Sequence, residues 1–475
     1  MSLLLLERAQ TGDSPFTILP DGPDEQYRFH FDMSKCIGCR CCEVACAEQN
    51  GNALDVNWRR VGEIEGGEYP FAQRFYLSMS CNHCLDPACL TGCPVDAYTK
   101  EFRTGLVLHS AEVCIGCGYC TWNCPYGAPQ YNSERGVVGK CDMCHNRLLQ
   151  GRQPACASAC PEEAIEIERV NIGEWRRNYE AANAPGLPAA HHTISTTRVT
   201  LPERISPSLT RADYHRVRRE DPHWPLVFML VLTQLSAGAL VYLSLLGAAR
   251  LPGHTLGQAA ALIVAFVSLA ASTLHLGRPI YAYRALRMWR RSWLSREVLL
   301  FGLFSAAVAT SVVWPVLSPA AALLGLAGVT ASAFIYLAPA RPAWNSKTTV
   351  VDFHLTALLL GPLFLAALGA RIPPLAICLT ACAQILNHLL KFALLSTTEE
   401  FELRASARLL VHDLRTAFFA RFALLIAGGV VLPMVYSPLP AFLLALAGEF
   451  LSRYLFFVSV VPKDVASGFF RREAA

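Results

Sequence analysis

The sequence predicts an α+β domain rich in cysteine, followed by an all-α domain of eight transmembrane helices. Seventeen of the nineteen cysteines lie between Cys36 and Cys160. Long apolar runs with few charges follow residue 223, and such runs are typical of membrane-spanning helices. A sequence of 475 residues is too long to fold around one hydrophobic core of ordinary size. We therefore expect three parts: a first domain at 1–172, an extended linker and partner-docking segment at 173–222, and a membrane domain at 223–475.

The ligand-type cysteines form four groups of four. The first and third groups have the C-x2-C-x2-C-x3-C spacing of bacterial ferredoxins. The second and fourth have one wider gap, and the last three groups end in Cys-Pro. In such loops three thiolates cap the irons of one cluster, and the fourth points to a neighbouring cluster. Sixteen cysteines therefore predict four 4Fe-4S clusters: Cys36, Cys39, Cys42 and Cys46; Cys81, Cys84, Cys89 and Cys93; Cys114, Cys117, Cys120 and Cys124; Cys141, Cys144, Cys156 and Cys160.

A disulfide scaffold and a zinc protein both fit these cysteines less well. A disulfide scaffold would need an oxidising compartment and no membrane domain. Zinc sites need only four ligands and rarely show this spacing before a proline. Gly38 and Gly116 are small enough to let the loop backbone approach the sulfurs. Because the ligand places are filled, we expect Cys41, Cys378 and Cys382 to be packing residues.

The four groups, in this order and with the long gap in the fourth, resemble the iron–sulfur subunit of molybdopterin oxidoreductases of the dimethyl sulfoxide reductase family. The resemblance runs from about Phe29 to Ile172. It implies a double bis-cluster ferredoxin-like domain, in which the first group pairs with the fourth and the second with the third. It also implies a separate molybdopterin-containing catalytic subunit as partner. In the family the half built from the first and fourth groups faces that partner, and the other half faces the membrane.

The resemblance implies a specific ligand set for each cluster. Some relatives replace one cysteine of the third group and hold a 3Fe-4S cluster, but this sequence keeps all four there, so four cubanes are expected. The stretch Asn171–Arg219 resembles the tail that such subunits lay over their partners, and its composition is that of a linker. The implied sets are Cys36, Cys39, Cys42 and Cys160; Cys141, Cys144, Cys156 and Cys46; Cys81, Cys84, Cys89 and Cys124; Cys114, Cys117, Cys120 and Cys93.

Eight apolar runs are long enough to cross a bilayer. An even number returns the carboxyl terminus to the side of the cysteine-rich domain. Basic residues in short loops stay on the cytoplasmic side. They concentrate on the amino-terminal side, from Arg211 to Arg472, and the opposite loops offer only Arg250 and Arg371. We therefore expect a multi-pass protein of the bacterial inner membrane, with spans near 224–247, 255–274, 297–316, 319–338, 351–370, 373–394, 416–436 and 438–460.

The side of the membrane on which the cysteine-rich domain lies follows from the same charges, and we expect it to be the cytoplasm. The Leu3–Leu6 run is too short for an apolar signal core, so no cleavable signal is expected. A net charge of +4 is too small to suggest a nucleic-acid partner.

Two motifs in the membrane part, His275-Leu-Gly-Arg278-Pro and Ser-Trp-Leu-Ser-Arg-Glu297, resemble the anchor subunit of dimethyl sulfoxide reductase. The sequence thus resembles two subunits fused into one. The resemblance implies a quinone site without haem, with His275 and Glu297 in quinol chemistry, and we add Arg278 and Arg284 as candidate residues. Quinone reduction takes up two protons, so an ionisable pair at the membrane surface suits it.

Both ionisable residues could instead have a purely structural role. His275 could cap the end of a helix, and Glu297 could pair with Arg296 or serve as an amino-terminal helix acid. Haem needs axial ligands such as facing histidines, and only His388 lies well inside a span. We therefore expect no haem.

The remaining intramembrane polar residues look isolated in the sequence. An ion pump would need a continuous chain of acidic or histidine residues, and Glu449 and Arg453, spaced i, i+4, are expected to neutralise each other. The others are Asp352, His354, Asn387 and His388.

The predicted function is electron transfer between a separate catalytic subunit and the quinone pool. A cytoplasmic placement favours oxidation of sulfite with quinone as acceptor, as in related sulfite dehydrogenases. Two alternatives stay open: the quinol-oxidising subunit of a dimethyl sulfoxide reductase-like terminal reductase, and a redox-driven ion pump. A redox sensor, which needs one exposed labile cluster, fits less well.

Overall fold

The computed structural model describes residues 24–53, 55–212, 217–246 and 254–463. They belong to two compact units, which we call the cluster unit (the described residues up to 212) and the membrane unit (Val217–Pro462). Some expectations concern residues outside the described ranges, namely those for Leu3–Leu6, Arg216, Arg250, Arg471 and Arg472.

Small sheets frame the cluster unit. Strand β1 is central in one sheet, antiparallel to β8 and parallel to β9, and β2 lies between β10 and β3 in another. Strands β4 and β5 pair as one hairpin, and β6 and β7 pair as a second. The strands are β1 Glu25–Asp32, β2 Arg60–Gly66, β3 Gln73–Met79, β4 Tyr98–Lys100, β5 Val107–His109, β6 Gln130–Asn132, β7 Val137–Gly139, β8 Ile165–Asn171, β9 Arg198–Thr200 and β10 Thr210–Arg211.

The alternation of side chains along β1 explains which face is buried. Tyr27, Phe29 and Phe31 enter the core, as expected for a strand with one apolar face. Arg28 lies on the other face, opposite Glu168 of β8, and its Nη2 is 2.8 Å from the Glu168 carboxylate. Because β1 precedes the first cysteine group and β8 follows the fourth, this pairing brings the two ends of the cysteine-rich sequence together.

Short helices begin in or beside the cysteine loops. Helix α1 packs against α5, and α2 packs against α3. The first cysteine group therefore meets the fourth, and the second meets the third. The α+β class of this part is confirmed. The helices are α1 Cys41–Asn50, α2 Ala88–Gly92, α3 Tyr119–Asn123, α4 His145–Leu149, α5 Ala155–Ser158 and α6 Ile172–Asn178.

The segment 173–222 differs from the expected linker. Trp175 of α6 is buried, and its indole Nε1 donates to the Ser195 carbonyl at 2.8 Å. Thr196 is also buried, and its hydroxyl donates to the Asn82 carbonyl at 2.6 Å. The polar composition of this segment predicts a linker, but hydroxyl groups such as that of Thr196 form hydrogen bonds inside the fold. The cluster unit accordingly includes the described residues up to 212 rather than ending at residue 172.

Eight helical stretches of the membrane unit are long and apolar enough to cross a membrane, as the sequence predicts. The seventh combines α14, a π-helical turn at Ala427–Val431 and α15. An additional helix, α13, is amphipathic and was not predicted. The helices are α7 Trp224–Leu246, α8 His254–Thr273, α9 Trp293–Val313, α10 Ser318–Ile335, α11 Lys347–Ala367, α12 Pro374–Thr397, α13 Phe401–Val411, α14 Arg415–Ile426, α15 Leu432–Met434 and α16 Pro438–Val458.

Helix α7 packs against α8, α10, α11 and α16 and so lies in the middle of the described helices. Its crossing with α11 is very close at Gly238 and Gly361. A Cβ atom on Gly238 would lie 1.8 Å from the Ala357 carbonyl oxygen, and one on Gly361 would lie 2.2 Å from the Gly238 carbonyl carbon. Small residues allow such backbone contact between membrane helices.

Candidate functional site

The four cysteine loops share one backbone turn. In each group, the residue before the second cysteine has a positive φ, which L side chains rarely adopt. Two of these residues are not glycine, so the turn belongs to the loop and not to glycine alone. It points backbone N–H groups at sulfur, as where Met143 donates to Cys141 Sγ at 3.3 Å. The turn residues are Gly38, His83, Gly116 and Met143, with φ of 71°, 44°, 69° and 60°.

The last cysteines of the second and fourth groups also receive backbone hydrogen bonds. Ala97 donates to Cys93 Sγ, and Ala164 donates to Cys160 Sγ, each at 3.3 Å. Such bonds stabilise a thiolate that ligates a metal. Because the turn geometry repeats, all four loops are suited to binding the same kind of ligand.

In the half built from the second and third groups, the thiols converge in two sets. Burial raises the pKa of Cys89, and Cys124 and Cys81 raise it further. Burial raises the pKa of Cys117 to about 12, and the Cys93 thiol adds to the shift. Each set thus contains thiols from both groups: Cys81, Cys84, Cys89 and Cys124 in one, and Cys93, Cys114, Cys117 and Cys120 in the other.

The half built from the first and fourth groups is arranged in the same way. Burial raises the pKa of Cys46 to about 12, and Cys156 raises it further. Burial also raises the pKa of Cys36, and the Cys160 thiol adds to the shift. The sets here are Cys36, Cys39, Cys42 and Cys160, and Cys46, Cys141, Cys144 and Cys156.

Two of the four sets line cavities. The set that ends in Cys124 and the set that ends in Cys160 each line a partly open cavity, with about 360 and 320 Å³ of empty space that includes the open mouth. All nineteen cysteines are free of disulfide bonds. Buried thiols with raised pKa values stay protonated unless a metal binds them, and a metal deprotonates them outright. Four converging thiols are the donor set of an iron–sulfur cubane, so the residues present fit a 4Fe-4S cluster.

Two buried cations lie among the cysteines, and the sequence reasoning missed both. Arg59 is 3% exposed and donates to the Ser78 and Ser80 hydroxyls at 3.1 and 3.0 Å. Burial opposes its charge, but the neighbouring Cys156 and Cys42 leave its pKa raised. A positive charge here offsets the negative charge of thiolate-ligated clusters.

The second of these cations is Lys140. It is buried, and its Nζ donates to the Cys141 carbonyl at 2.9 Å. Burial opposes its charge, while Cys81 and Cys89 raise its pKa. The position of Lys140 next to Cys141 was the one feature of the sequence that could have indicated a cation among the cysteines. Nothing in the sequence indicated Arg59.

The expectation that the three leftover cysteines are packing residues holds only for Cys378, which is buried. Cys41 is exposed, so that expectation is wrong for Cys41. Cys382 is exposed on α12 within a candidate span, where a bilayer would surround it. At the start of α1 it is Cys42 that turns inward, and its sulfur is 3.4 Å from the Ser78 hydroxyl. Burial on one face of α1 thus distinguishes the two neighbouring cysteines.

His275 follows the end of α8 in the membrane unit. Its Nδ1 contacts the Ser272 carbonyl, which is the helix-capping contact considered above. Burial lowers the pKa of His275 to about 4, so the ring is neutral near pH 7. A neutral ring that donates from Nδ1 leaves Nε2 as an acceptor, and no described residue hydrogen-bonds to Nε2.

Glu297 lies in the first turns of α9 and is 6% exposed. Its Oε1 has no hydrogen-bond partner among the described residues. Arg296 turns away and donates to the Trp289 and Arg290 carbonyls at 3.0 and 2.8 Å, so a pair with Glu297 is not formed. A buried carboxyl of this kind is suited to holding a proton.

Arg278 and Arg284 lie in the segment between His275 and Glu297. The Arg278 carbonyl accepts from Tyr281 N at 3.1 Å at the start of the 3-10 helix Pro279–Leu286. The Arg284 guanidinium stacks 4.1 Å from the Tyr281 ring centroid. The four predicted residues thus share one loop and the helix start that follows it, although no contact joins His275 to Glu297 in the described part of the sequence.

The intramembrane polar residues are not isolated, contrary to expectation. Arg453 Nη1 is 2.5 Å from Asp352 Oδ2, so its ion-pair partner lies on α11 and not at Glu449. Glu449 instead accepts from the Thr356 hydroxyl at 2.9 Å, and Gln384 donates to the same hydroxyl at 3.1 Å. The i, i+4 spacing predicts contacts along one helix only, whereas the Arg453 guanidinium contacts Asp352 on the neighbouring helix α11. By contrast, His354 and Asn387 contact carbonyls on α11, those of Val350 and Thr348.

Four thiol sets in an α+β unit, carried on the same polypeptide as an eight-span helical unit, define a membrane-bound iron–sulfur protein. Residues 72–170 match the family of 4Fe-4S dicluster domains. Residues 220–458, half of the sequence, match the family of the DMSO reductase anchor subunit. This protein belongs to that family, and it combines an iron–sulfur subunit with a membrane-anchor subunit, as the sequence predicts.

The sequence is also similar to subunits named for dimethyl sulfoxide reductase and formate dehydrogenase. The sequence is 44% identical over 178 residues to the probable anaerobic dimethyl sulfoxide reductase chain YnfG of Escherichia coli, covering 35% of this protein and 85% of the relative. It is 40% identical over 192 residues to the B subunit of the anaerobic dimethyl sulfoxide reductase of Haemophilus influenzae, covering 38% and 88%. The formate dehydrogenase-O iron-sulfur subunit of Escherichia coli is 36% identical over 154 residues, covering 29% and 51%.

Proposed function

We propose that this protein passes electrons between a separate molybdopterin-containing catalytic subunit and the quinone pool. The observation that carries the proposal is the convergence of sixteen thiols into four sets, each with members from two sequence groups. A 4Fe-4S cluster takes four thiolates and exchanges electrons, so four in series form a path. The relatives named for dimethyl sulfoxide reductase and formate dehydrogenase support a catalytic partner.

Each proposed cluster is held by three cysteines of one group and the last cysteine of its partner group. The helix pairs α1–α5 and α2–α3 support this crossed arrangement. The proposed ligand sets are Cys36, Cys39, Cys42 and Cys160; Cys141, Cys144, Cys156 and Cys46; Cys81, Cys84, Cys89 and Cys124; Cys114, Cys117, Cys120 and Cys93.

At the quinone end, we place proton exchange at His275 and Glu297. A quinone that gains two electrons takes up two protons, and a quinol that is oxidised releases them. The neutral His275 ring offers an acceptor nitrogen, and the buried Glu297 carboxyl has a free oxygen in the described structure. Arg278 and Arg284, in the intervening loop, supply positive charge for orienting the quinone oxygens.

Replacing Cys117 with serine tests the electron path. We expect quinone-linked turnover of the complex to fall to background, while the catalytic subunit keeps its activity with an artificial electron donor. Iron content should fall from about sixteen to about twelve per protein molecule, because one cluster of four irons is lost. The matched control is Cys41→Ser, which removes an exposed cysteine and should leave both readouts unchanged. Full quinone-linked turnover in Cys117→Ser would refute the assignment.

Two partner reactions are proposed, and they differ in direction. Sulfite oxidation would deliver electrons to quinone, and it is favoured by the basic loops that point to a cytoplasmic cluster domain. A dimethyl sulfoxide reductase-like terminal reductase would take electrons from quinol, and the relatives named for dimethyl sulfoxide reductase favour it. Purification of the intact complex, with assays of sulfite oxidation and of dimethyl sulfoxide reduction, distinguishes them. The sulfite proposal fails if the copurified subunit is inactive toward sulfite and reduces the sulfoxide.

A redox-driven ion pump is a second candidate, favoured by the polar network around Arg453 and Asp352. Such networks mark ion or proton pathways in membrane proteins. The test is quinone-linked turnover by the complex in sealed liposomes. A pump should build a voltage or a pH difference that an uncoupler abolishes, and turnover without either would remove this candidate.

A further inference from the structure

The membrane unit contains a partly open cavity, with about 510 Å³ of empty space that includes its open mouth, and the cavity is remote in sequence from His275 and Glu297. It lies where the last turns of α12 and α16 meet the first turns of α14. The amphipathic helix α13, which is too short and too polar to be a span, closes one side with Leu410. We call it the basic cavity, and its charged and polar wall consists of Lys391, Arg421, Asp352, His388, Ser452 and Ser459.

Arg421 is the unusual member of this wall. It is 7% exposed, and among the described residues it has neither a hydrogen bond nor an ion pair. Its guanidinium lies against two rings, 4.9 Å from the Phe418 centroid and 4.7 Å from that of Phe422. A buried arginine remains charged, and an unpaired buried charge is costly.

The second cation of the wall is Lys391, which also has no carboxylate partner among the described residues. Its Nζ donates to the Thr349 hydroxyl at 3.2 Å and lies 4.9 Å from the Phe456 ring centroid. The only carboxylate among the described wall residues, Asp352, is bound at 2.5 Å by Arg453, which does not line the cavity. Asp352 and Glu449 act on Arg421 electrostatically, and Asp352 acts on Lys391, but neither cation has a direct ion pair among the described residues. The basic cavity therefore holds two cations that share one carboxylate already bound by Arg453.

The rest of the wall is apolar. Phe392, Leu395, Leu455 and Phe456 line it beside the two cations. A ligand that suits both the cations and the apolar side chains of the wall needs a compact anionic group with a hydrocarbon portion attached. Neutral quinone carbonyls would leave the two charges uncompensated, so the electrostatics favours an anion.

We propose that the basic cavity binds the anionic headgroup of a phospholipid. Arg421 and Lys391 hold the phosphate oxygens, since guanidinium and ammonium groups are the usual phosphate ligands. The aromatic and leucine side chains receive the first carbons of an acyl chain. Basic pockets between membrane helices bind anionic lipid headgroups in this way.

The test uses the full-length protein, purified in detergent and reconstituted in nanodiscs of phosphatidylglycerol and phosphatidylcholine in equal amounts. Native mass spectrometry should find one phosphatidylglycerol retained in preference to phosphatidylcholine. Arg421→Gln should weaken that retention on the order of tenfold, because a charged hydrogen-bond partner is lost, and Lys391→Gln should act in the same direction. The matched control is Arg408→Gln, an exposed arginine on α13 that should leave retention unchanged.

Several outcomes would overturn the proposal. These are equal retention of the two lipids, an equal loss in Arg408→Gln, or displacement of the lipid by a quinone analogue. Inorganic phosphate serves as a separate probe, and binding of phosphate with no lipid retained would assign a free-anion site instead. If Arg421→Gln does not fold, the proposal is tested instead on Arg421→Lys and on the wild type. Phosphatidylglycerol should then raise the unfolding temperature of both, and no rise relative to phosphatidylcholine would refute the site.

Discussion

At the scale of single residues, we predict that the buried cation Arg59 of the cluster unit affects redox behaviour. Arg59 lies close to Cys42 and Cys156, which belong to two different thiol sets. A positive charge at this distance stabilises the more negative, reduced state of a cluster. We therefore expect Arg59 to tune both clusters proposed for the half built from the first and fourth groups.

Replacing Arg59 with glutamine should lower the reduction potential of those two clusters. A single charge near a partly buried group gives a shift on the order of 50 mV. The measurement is a redox titration followed by electron paramagnetic resonance. Arg74→Gln is the control, since Arg74 is exposed and pairs with Glu65 at 3.5 Å. Unchanged potentials in Arg59→Gln would contradict the proposed role.

His275 leads to a prediction about pH. Its ring can accept a proton from quinol only while it is neutral, that is, above its pKa, which burial lowers to about 4. The acid limb of quinol oxidation by the complex should therefore lie near pH 4 rather than near 6.5, the usual histidine value. Rates with a soluble quinol, measured from about pH 3 to 8 so that both sides of the expected limb are covered, test this.

The control for this profile is His354→Gln, because His354 bonds to Thr330 and lies outside the proposed site. We expect His275→Gln to slow the reaction and His354→Gln to leave its profile unchanged. A limb between about pH 6 and 7 that disappears in His275→Gln would show that His275 is not held neutral as described.

At the scale of secondary-structure elements, the crossing of α7 and α11 depends on glycine. Gly361→Ala should destabilise the membrane unit by roughly 1–3 kcal/mol, because the added Cβ would meet backbone atoms that cannot move without separating the helices. The measurement is the thermal unfolding temperature in detergent. Gly302→Ala on α9 is the matched control, since its Cβ would have nothing within 4 Å. Equal stability of the two variants would mean that the crossing is looser than described.

At the scale of the whole molecule, the eight spans place alternate loops on opposite sides of the membrane. In a background with Cys41→Ser and Cys382→Ser, we predict that Arg371→Cys reacts with an impermeant maleimide added outside intact cells, whereas Arg404→Cys reacts only after lysis. Both positions are exposed, so access depends on sidedness. The opposite labelling pattern would overturn the cytoplasmic assignment of the cluster unit.

Much of the architecture could be predicted from residue spacing and apolar runs. The four cysteine groups, the α+β class and the eight spans depend on local pattern, which a single sequence displays. The linker prediction for 173–222 was wrong because Trp175 and Thr196 are buried by partners far away in the sequence. Composition records polarity, but it does not record whether a hydroxyl finds an acceptor.

The sequence by itself determined the ligand-type cysteines and the membrane spans, because metal-loop spacing and helix length are properties of short segments. Only the tertiary structure decided that Arg59 and Lys140 lie among the thiols, that Cys42 rather than Cys41 turns inward, and that Arg453 pairs with Asp352. These facts depend on contacts between distant segments. Burial then decides which charges must find partners, because an unpaired charge is costly away from water.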